Sequence, residues 1–139
     1  MWLYKDKVIN CIELMPQDTF GFIYQVTYIP TNEKYLGKKF IYFNKKLPPL
    51  KGFKRKRKIS IESDWKKYYG SHDKIKTLLK ENKHDGFKRE ILEFAFNKKH
   101  LTYLETKYLF TNNVLENNEY INDNILGKFF RKDLVNPNI

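Results

Sequence analysis

Two tyrosines, Tyr24 and Tyr35, stand on either side of the turn-forming residues 30–33 and could take part in proton transfer. If the flanking segments pair as a hairpin, the two positions can face each other across the strands. Two hydroxyls on one face of a sheet could carry protons or hold a nucleophilic water. Lys38 and Lys39 follow closely, and their positive charge would favour the phenolate form of a side chain whose pKa is ordinarily about 10.

The placement of these tyrosines is not specific by itself. The chain contains 10 tyrosines, and aromatic residues are common in strands, so a purely structural role is the competing interpretation. Gly37 follows Tyr35 closely and would allow a phosphate to approach the backbone. The hairpin therefore marks a candidate site that needs further residues to complete its chemistry.

The elements that must position the tyrosines are predicted from hydrophobic patterns and turn signals. Aromatic and β-branched segments predict an N-terminal hairpin and three strands, at 2–9, 20–29, 34–43 and 87–96. Helical patterns predict a short turn and two helices, at 63–68, 73–83 and 102–112, with Ser63 and Ser71 as N-caps. Residues 119–126 are expected to be extended, and the tail after Lys132 to be loose. The predicted fold is α+β, with a small three-stranded, mainly antiparallel sheet flanked by helices, an N-terminal hairpin and an inserted basic loop.

The predicted loop at 44–58 contains Pro48-Pro49, Gly52 and a dense run of positive charge. No acidic residue lies between Lys51 and Lys58. One interpretation is a flexible, solubilising loop; the other is contact with a DNA backbone, which adds salt-dependent affinity and little sequence information. The residues that would form such a basic surface are Lys54, Arg55, Lys56, Arg57 and Lys58, extended by Lys66, Lys67, Lys88 and Arg89. Lys38 is also expected to contact DNA.

The composition limits the class of partner. The 139 residues carry a formal net charge of +11 with a pI near 9.6, which favours an anionic partner. Part of this charge could instead reflect the lysine-rich codon usage of an AT-rich genome. The single cysteine excludes an internal disulfide, and no apolar run approaches the ~20 residues of a membrane span. With no signal peptide apparent, we expect a soluble cytoplasmic protein without a membrane partner.

The segments Gly21-Phe22-Ile23-Tyr24 and Tyr35-Leu36-Gly37 resemble the signature hairpin of the GIY-YIG nuclease superfamily. Four further segments in the same order resemble its phage homing-endonuclease branch, at 62–71, 86–92, 103–107 and 120–122. The resemblance runs from about residue 2 to about residue 126. It implies one nuclease domain over 1–139, with an N-terminal extension at 1–19, a core at 20–126 that carries a basic insertion at 44–62, and a tail at 127–139.

The resemblance implies metal-dependent hydrolysis of phosphodiester bonds, with one Mg²⁺ or Mn²⁺ ion per active site. By position, Glu105 would be the metal ligand, Tyr24 the general base or water activator, and Tyr35 the residue that positions the water or the scissile phosphate. The competing interpretation of Glu105 is structural, because Thr102-Tyr103-Leu104-Glu105 fits a capping box. Asn122 matches the asparagine that ends the core in relatives, with a structural role in holding the metal-site helix.

The chain departs from the superfamily pattern at the catalytic cation. Relatives have an arginine on a helix soon after the second tyrosine strand, and no arginine occupies that place here. Lys39 is favoured by its proximity to the hairpin, with Lys38, Arg55 and Arg57 as alternatives. Lysine would bind the phosphate as a point charge, without the bidentate geometry of arginine. His72 lies near the predicted site, although a surface role is favoured for all three histidines.

DNA is the expected partner, and no small-molecule cofactor is expected. One active centre cuts one strand, so a double-strand break would need a homodimer or two successive visits. If the chain is phage-encoded, it would act in the host cytoplasm. Two alternatives stay open: a DNA-binding module that has lost catalysis, suggested by the missing arginine, and an RNA-binding protein of ribosomal type, suggested only by basicity.

Overall fold

The computed structural model describes residues 1–134. Its strands and α-helices, in chain order, are β1 (Trp2–Tyr4), β2 (Lys7–Ile9), β3 (Gly21–Tyr28), β4 (Glu33–Phe40), β5 (Tyr42–Leu47), β6 (Arg57–Glu62), α1 (Asp73–Lys80), β7 (Phe87–Ala95), α2 (Lys98–Thr111), β8 (Asn124–Ile125), β9 (Phe129–Phe130) and α3 (Arg131–Leu134). Short 3-10 turns lie at Ile12–Leu14, Trp65–Lys67 and His84–Gly86. No helix within residues 1–134 is long and apolar enough to cross a membrane.

The central sheet has five strands in the order β2-β1-β7-β3-β4. The predicted antiparallel core of β7, β3 and β4 is confirmed, but the prediction of a three-stranded sheet is wrong because the N-terminal hairpin joins it. β1 pairs in parallel with β7, so the sheet is mixed. The buried Trp2 contacts β7 through the Arg89 guanidinium, 4.7 Å from its ring centroid, and its indole Nε1 donates to the Trp65 carbonyl at 2.7 Å. The α+β class is confirmed, with three α-helices in the described residues.

Each face of the sheet buries its own hydrophobic cluster. One cluster combines strand residues with Trp65 and Ile75, from the segment that contains the second 3-10 turn and α1. The other places Ile23 and Leu36 against α2 and the chain that follows it. The alternation of side chains along β3 therefore sends Tyr24 to the first face and its neighbour Ile23 to the second.

The β3–β4 hairpin sets the relation between the two tyrosines. Tyr24 pairs with Gly37 and Tyr35 pairs with Val26, so the tyrosines are diagonal neighbours. The sequence had suggested that they lie directly opposite each other, and this prediction is wrong. They still share one face, with ring centroids 6.3 Å apart. Asn32 closes the turn with a φ of 58°, a left-handed conformation that asparagine tolerates.

The basic insertion is not a loop, which corrects the prediction for 44–58. β4 ends at Phe40, and after the buried Ile41 the chain forms a separate two-stranded antiparallel sheet of β5 and β6. We call residues 42–62 the basic ribbon. Its pairing runs from Tyr42 opposite Glu62 to Leu47 opposite Arg57, and only residues 48–56 form its connecting loop.

The predicted start of α1 at residue 73 is confirmed, but its cap and its end differ from the prediction, and α2 begins earlier than predicted. α1 is capped by the His72 side chain, which accepts from the Lys74 amide, and not by Ser71. It ends at Lys80 rather than at residue 83. α2 begins at Lys98 rather than at residue 102, because the Asn97 side chain accepts from the His100 amide at 2.8 Å and supplies the N-cap.

The segment after α2 lies along the outer side of β4. The Lys34 amide donates to the Glu119 carbonyl at 2.8 Å, and the Ile121 amide donates to the Lys34 carbonyl at the same distance. The Arg131 guanidinium holds this segment in place by donating hydrogen bonds to several of its carbonyls, including that of Tyr120 at 2.6 Å. Residues 131–134 are helical, so the tail does not become loose directly after residue 132; residues 135–139 lie outside the described part of the chain.

Candidate active site

A cavity of about 380 Å³ opens beside the β4 edge of the sheet. It lies between the first half of β4, the start of α1, the inner side of α2 and the residues around β8. The polar residues that line it are Tyr35, Ser71, His72, Asp73, Glu105, Asn122, Asp123 and Asn124. Two residues that the sequence singled out, Tyr35 and Glu105, thus share one cavity.

Glu105 is placed at the cavity by the packing of α2 on β4, with Leu101 and Leu104 buried beneath it. Its side chain is 18% exposed, and the Lys38 Nζ lies 3.5 Å from its Oε1. Burial raises the pKa of the Glu105 carboxyl, and the neighbouring Lys38 partly offsets this rise. The interpretation of Glu105 as a capping-box residue is wrong, because Thr102 lies inside α2 and not at its start.

Tyr35 presents its hydroxyl at the cavity. The hydroxyl lies 3.0 Å from the Ser71 Oγ, and the tyrosine ring packs beside His72 with centroids 5.8 Å apart. Burial raises the pKa of Tyr35 and outweighs the lowering by the Ser71 hydrogen bond. Ser71, predicted as a helix cap, is instead the hydrogen-bond partner of this tyrosine.

Tyr24 is buried behind the cavity, at 1% exposure, among the rings of Trp2, Tyr68 and Tyr35. Burial raises its pKa well above 10, and the neighbouring Tyr68 and Tyr35 hydroxyls add to the rise. The expectation that nearby lysines favour a phenolate is therefore wrong for both tyrosines, which are neutral phenols at neutral pH.

Gly37 leaves room for the Tyr24 ring. A Cβ atom on Gly37 would lie 2.7 Å from the Tyr24 hydroxyl oxygen and 2.9 Å from Cζ, closer than such atoms can pack. The missing side chain therefore provides the space into which the Tyr24 ring fits.

The two lysines after the hairpin have different partners. The Lys39 Nζ lies 2.6 Å from the Asp64 Oδ1 and 3.9 Å from the centroid of the Tyr68 ring, so its charge is already paired and stacked. Lys38 points to the other face of the sheet, toward Thr102 and Glu105. Of the two lysines, Lys38 is the one whose ammonium lies beside the cavity.

His72 and Asp123 contribute to the cavity and were not singled out as a pair from the sequence. The His72 Nε2 lies 3.0 Å from the Asp123 Oδ2, and its Nδ1 accepts from the Lys74 amide. Both ring nitrogens are thus engaged, and the ring serves to hold Tyr35 from the side. From the sequence, His72 was noted only for its position near the predicted site, and a surface role was favoured.

Asn122 holds β4, and not the α2 helix as expected. Its Oδ1 accepts from the Leu36 amide at 3.1 Å, and its Nδ2 donates to the Leu36 carbonyl at 2.9 Å. The buried amide fixes the strand between Tyr35 and Gly37, which supports a structural role close to the site.

Most residues of the predicted basic surface are exposed. The residues of the ribbon, together with Lys66, Lys67 and Lys88, are exposed. Arg89 is an exception and a correction: it is 5% exposed, donates to the Lys66 and Tyr68 carbonyls, and stacks on Trp2. Arg55 and Arg57, candidates for the catalytic cation, lie on the ribbon and not among the residues that line the cavity.

This fold and site, with diagonal tyrosines on a hairpin and a glutamate on the helix packed behind it, define a nuclease of the GIY-YIG class. Residues 2–125 match the family model described as "Putative endonuclease segE, GIY-YIG domain". The chain therefore belongs to this segE-type GIY-YIG endonuclease family, as the resemblance implied, and membership implies a nuclease with DNA as its substrate. Neither the curated proteins nor the solved structures provide a match.

Proposed function

We propose that the chain is a divalent-metal-dependent DNA endonuclease that hydrolyses a phosphodiester bond in the cavity between Tyr35 and Glu105. The observation that carries the proposal is the largely buried Glu105 carboxylate, which faces the same cavity as the Tyr35–Ser71 pair and has a cation beside it. A buried carboxylate with a raised pKa at the wall of a cavity is typical of functional sites.

Glu105 fits Mg²⁺ or Mn²⁺ through its oxygen chemistry. Residues 1–134 contain no group of three or more histidine, cysteine or acidic side chains that could hold a metal. In the proposed site the protein supplies the Glu105 carboxylate, with water and phosphate oxygens as the other ligands, a pattern that suits Mg²⁺. When bound, the ion would polarise the scissile phosphate and stabilise the charge that develops on it.

The tyrosines would act as neutral hydroxyls. Tyr35, with its hydroxyl held by Ser71, is suited to orient the attacking water or a phosphate oxygen at the cavity. Tyr24 is proposed to activate water through hydrogen bonding from behind Gly37 and not as a preformed phenolate, because burial disfavours its ionisation.

Lys38 is the better candidate for the catalytic cation. Its ammonium lies beside Glu105, whereas that of Lys39 is already bound by Asp64 and stacked on Tyr68. A fixed positive charge at this place would stabilise the negative charge of the transition state. Lys39 is then proposed to hold Tyr68 against Tyr24.

Cleavage of supercoiled plasmid tests the proposal directly. Wild-type protein should convert it to nicked circles with Mg²⁺ or Mn²⁺ and lose this activity when EDTA is added. Full activity in EDTA would contradict the metal dependence. Tight, salt-sensitive binding without cleavage over a range of divalent ions would instead support the alternative, a DNA-binding module on the same scaffold.

The Lys38→Met variant should move the acid limb of the pH–rate profile. Burial raises the pKa of Glu105 and Lys38 lowers it, so loss of this lysine raises that pKa further. As pH falls through the pKa, the carboxylate gains a proton and can no longer bind metal. The midpoint of the acid limb should therefore lie at a pH above 4.5, the ordinary pKa of glutamate, in the wild type, and at a still higher pH in the variant.

Cleavage rate and the half-saturating Mg²⁺ concentration, each measured against pH, check this prediction. Lys38→Arg keeps the charge and should retain the wild-type limb. An unchanged limb in Lys38→Met would show that this ammonium does not control the ionisation of Glu105.

A further inference from the structure

The two faces of the basic ribbon differ in character. Residues paired across antiparallel strands share a face, and successive pairs alternate between faces. One face therefore carries Tyr42 with Glu62 at the base of the ribbon, followed by Asn44 with Ser60 and Lys46 with Lys58. The Ser60 hydroxyl donates to the Asn44 Oδ1 at 3.1 Å, which fixes the plane of that amide. We call Asn44, Ser60, Lys46 and Lys58 the polar face.

The opposite face of the ribbon is largely apolar at its base. It carries Phe43 opposite Ile61 and Lys45 opposite Ile59. All four of these residues are exposed. The polar face is therefore the one whose donors and acceptors are arranged to contact another polar surface.

The ribbon is strongly cationic, which determines the kind of partner. Residues 42–62 contain eight lysines and arginines and one acidic residue, Glu62, which lies at the base of the ribbon. A cavity of about 580 Å³ lies near the tip of the ribbon, lined by Lys46, Arg55, Lys56 and Lys58. A positively charged cavity complements a polyanion, and DNA phosphates are the polyanion that the proposed function supplies.

The base of the ribbon is fixed to the central sheet. The Ile41 amide donates to the Phe20 carbonyl at 3.0 Å, and the Ser63 amide donates to the Ile41 carbonyl at 2.8 Å. The Ser63 hydroxyl closes the base by donating to the Phe40 carbonyl at 2.6 Å. The ribbon therefore projects in a defined direction from the end of β4, the strand that contains Tyr35.

We propose that the basic ribbon enters the major groove of duplex DNA beside the cleaved phosphate, with its polar face toward the base edges. The major groove is wide enough for a two-stranded β-ribbon. Lysine suits guanine O6 and N7 there, and asparagine suits adenine. The inference rests on the proposed function for its substrate, and adds the groove, the face and a source of sequence preference.

The length of the ribbon sets where these contacts fall. Each strand has six residues, which at about 3.3 Å per residue gives an arm of roughly 20 Å. Along B-DNA, at about 3.4 Å per base pair, this reach corresponds to roughly six base pairs. The arm would therefore cover about half a helical turn of the major groove, extending away from the cut.

Binding without metal tests the inference apart from cleavage. The full chain carrying Glu105→Gln is titrated with two duplexes of one sequence, one with ordinary guanine and one with 7-deazaguanine, which lacks the N7 acceptor in the major groove. We expect the 7-deazaguanine duplex to bind about fivefold or more weakly. Adding Lys46→Gln with Lys58→Gln should abolish this difference.

A matched control separates position from charge. Lys76→Gln with Lys80→Gln removes the same charge from exposed positions on α1, and should keep the preference for the ordinary duplex. Equal binding of the two duplexes by the intact ribbon would overturn the inference, as would an equal loss of preference in the α1 variant. If the wild-type chain cleaves DNA with metal but the two duplexes bind equally, the ribbon inference alone is contradicted. If the ordinary duplex binds more tightly but no cleavage occurs, the nuclease proposal alone is contradicted.

Discussion

Replacing Glu105 by glutamine is expected to lower the cleavage rate by about a thousandfold while the chain stays folded. The amide keeps the size of the side chain and loses the anionic oxygen that would bind a divalent ion. Stability should be unchanged or slightly higher, because the substitution removes a charge whose burial is unfavourable, as the raised pKa of Glu105 indicates. Plasmid nicking over a range of Mg²⁺ concentrations, with thermal unfolding beside it, measures both effects.

Glu116→Gln is the matched control, since this glutamate is exposed after the end of α2 and outside the cavity lining. It should cut DNA at the wild-type rate. If Glu105→Gln retains near wild-type cleavage, the carboxylate is not the metal ligand. If it unfolds, the role of Glu105 is structural and the site has to be sought elsewhere.

The Gly37→Ala variant should lose both stability and activity. The added methyl group would meet the Tyr24 ring at 2.7–2.9 Å, and that ring cannot move aside because Trp2 and Tyr68 pack against it. Overpacking of this kind costs about 1–3 kcal/mol. A displaced Tyr24 hydroxyl should also slow cleavage by about a hundredfold. Urea unfolding and plasmid nicking measure the two losses.

A double-mutant cycle with Tyr24→Leu identifies the cause. Leucine has no atoms at the Cζ and hydroxyl positions, so Gly37→Ala should cost much less free energy of unfolding in that background. The same cost in both backgrounds would show that the glycine is needed for a reason unrelated to Tyr24. Backbone strain is not that reason, because Gly37 lies in a regular strand without a positive φ.

The parts of the fold that depend on local pattern were predictable from sequence. The run of aromatic and β-branched residues at 20–29, the turn after it and the segment at 87–96 gave the three central strands close to their observed bounds. The docking of β1 beside β7 was not predictable, because three-residue strands carry too little pattern to specify a neighbour.

The basic ribbon was missed because its charge and prolines dominated the interpretation. Pro48-Pro49 and Gly52 do form a loop, but β-branched Ile59 and Ile61 and the alternating Phe43 and Leu47 are typical of strands. Similarly, the T-x-x-E pattern at 102–105 predicted a helix start at residue 102, and the capping residue Asn97 was overlooked. The Asn97 side chain supplies the N-cap, which places the start of α2 at Lys98.

The sequence identified the residues of the candidate site more readily than it predicted which of them contact one another. Tyr35 and Glu105 share a cavity, and Tyr24 lies directly behind it. The choice between Lys38 and Lys39 depends on which face of β4 each side chain occupies and on what packs there. That information comes from Asp64, Tyr68 and α2, which are distant in sequence from the hairpin.

The segment that runs along β4 also affects how copies of the chain can meet. β4 is the last strand of the sheet, and exposed peptide groups on such a strand can template pairing with another chain. Here the amide and carbonyl of Lys34 are bonded to residues 119–121, and those of Leu36 are bonded to the Asn122 side chain. This half of the edge is thereby protected from aggregation, and a dimer that places both active sites on one duplex would have to form through another surface.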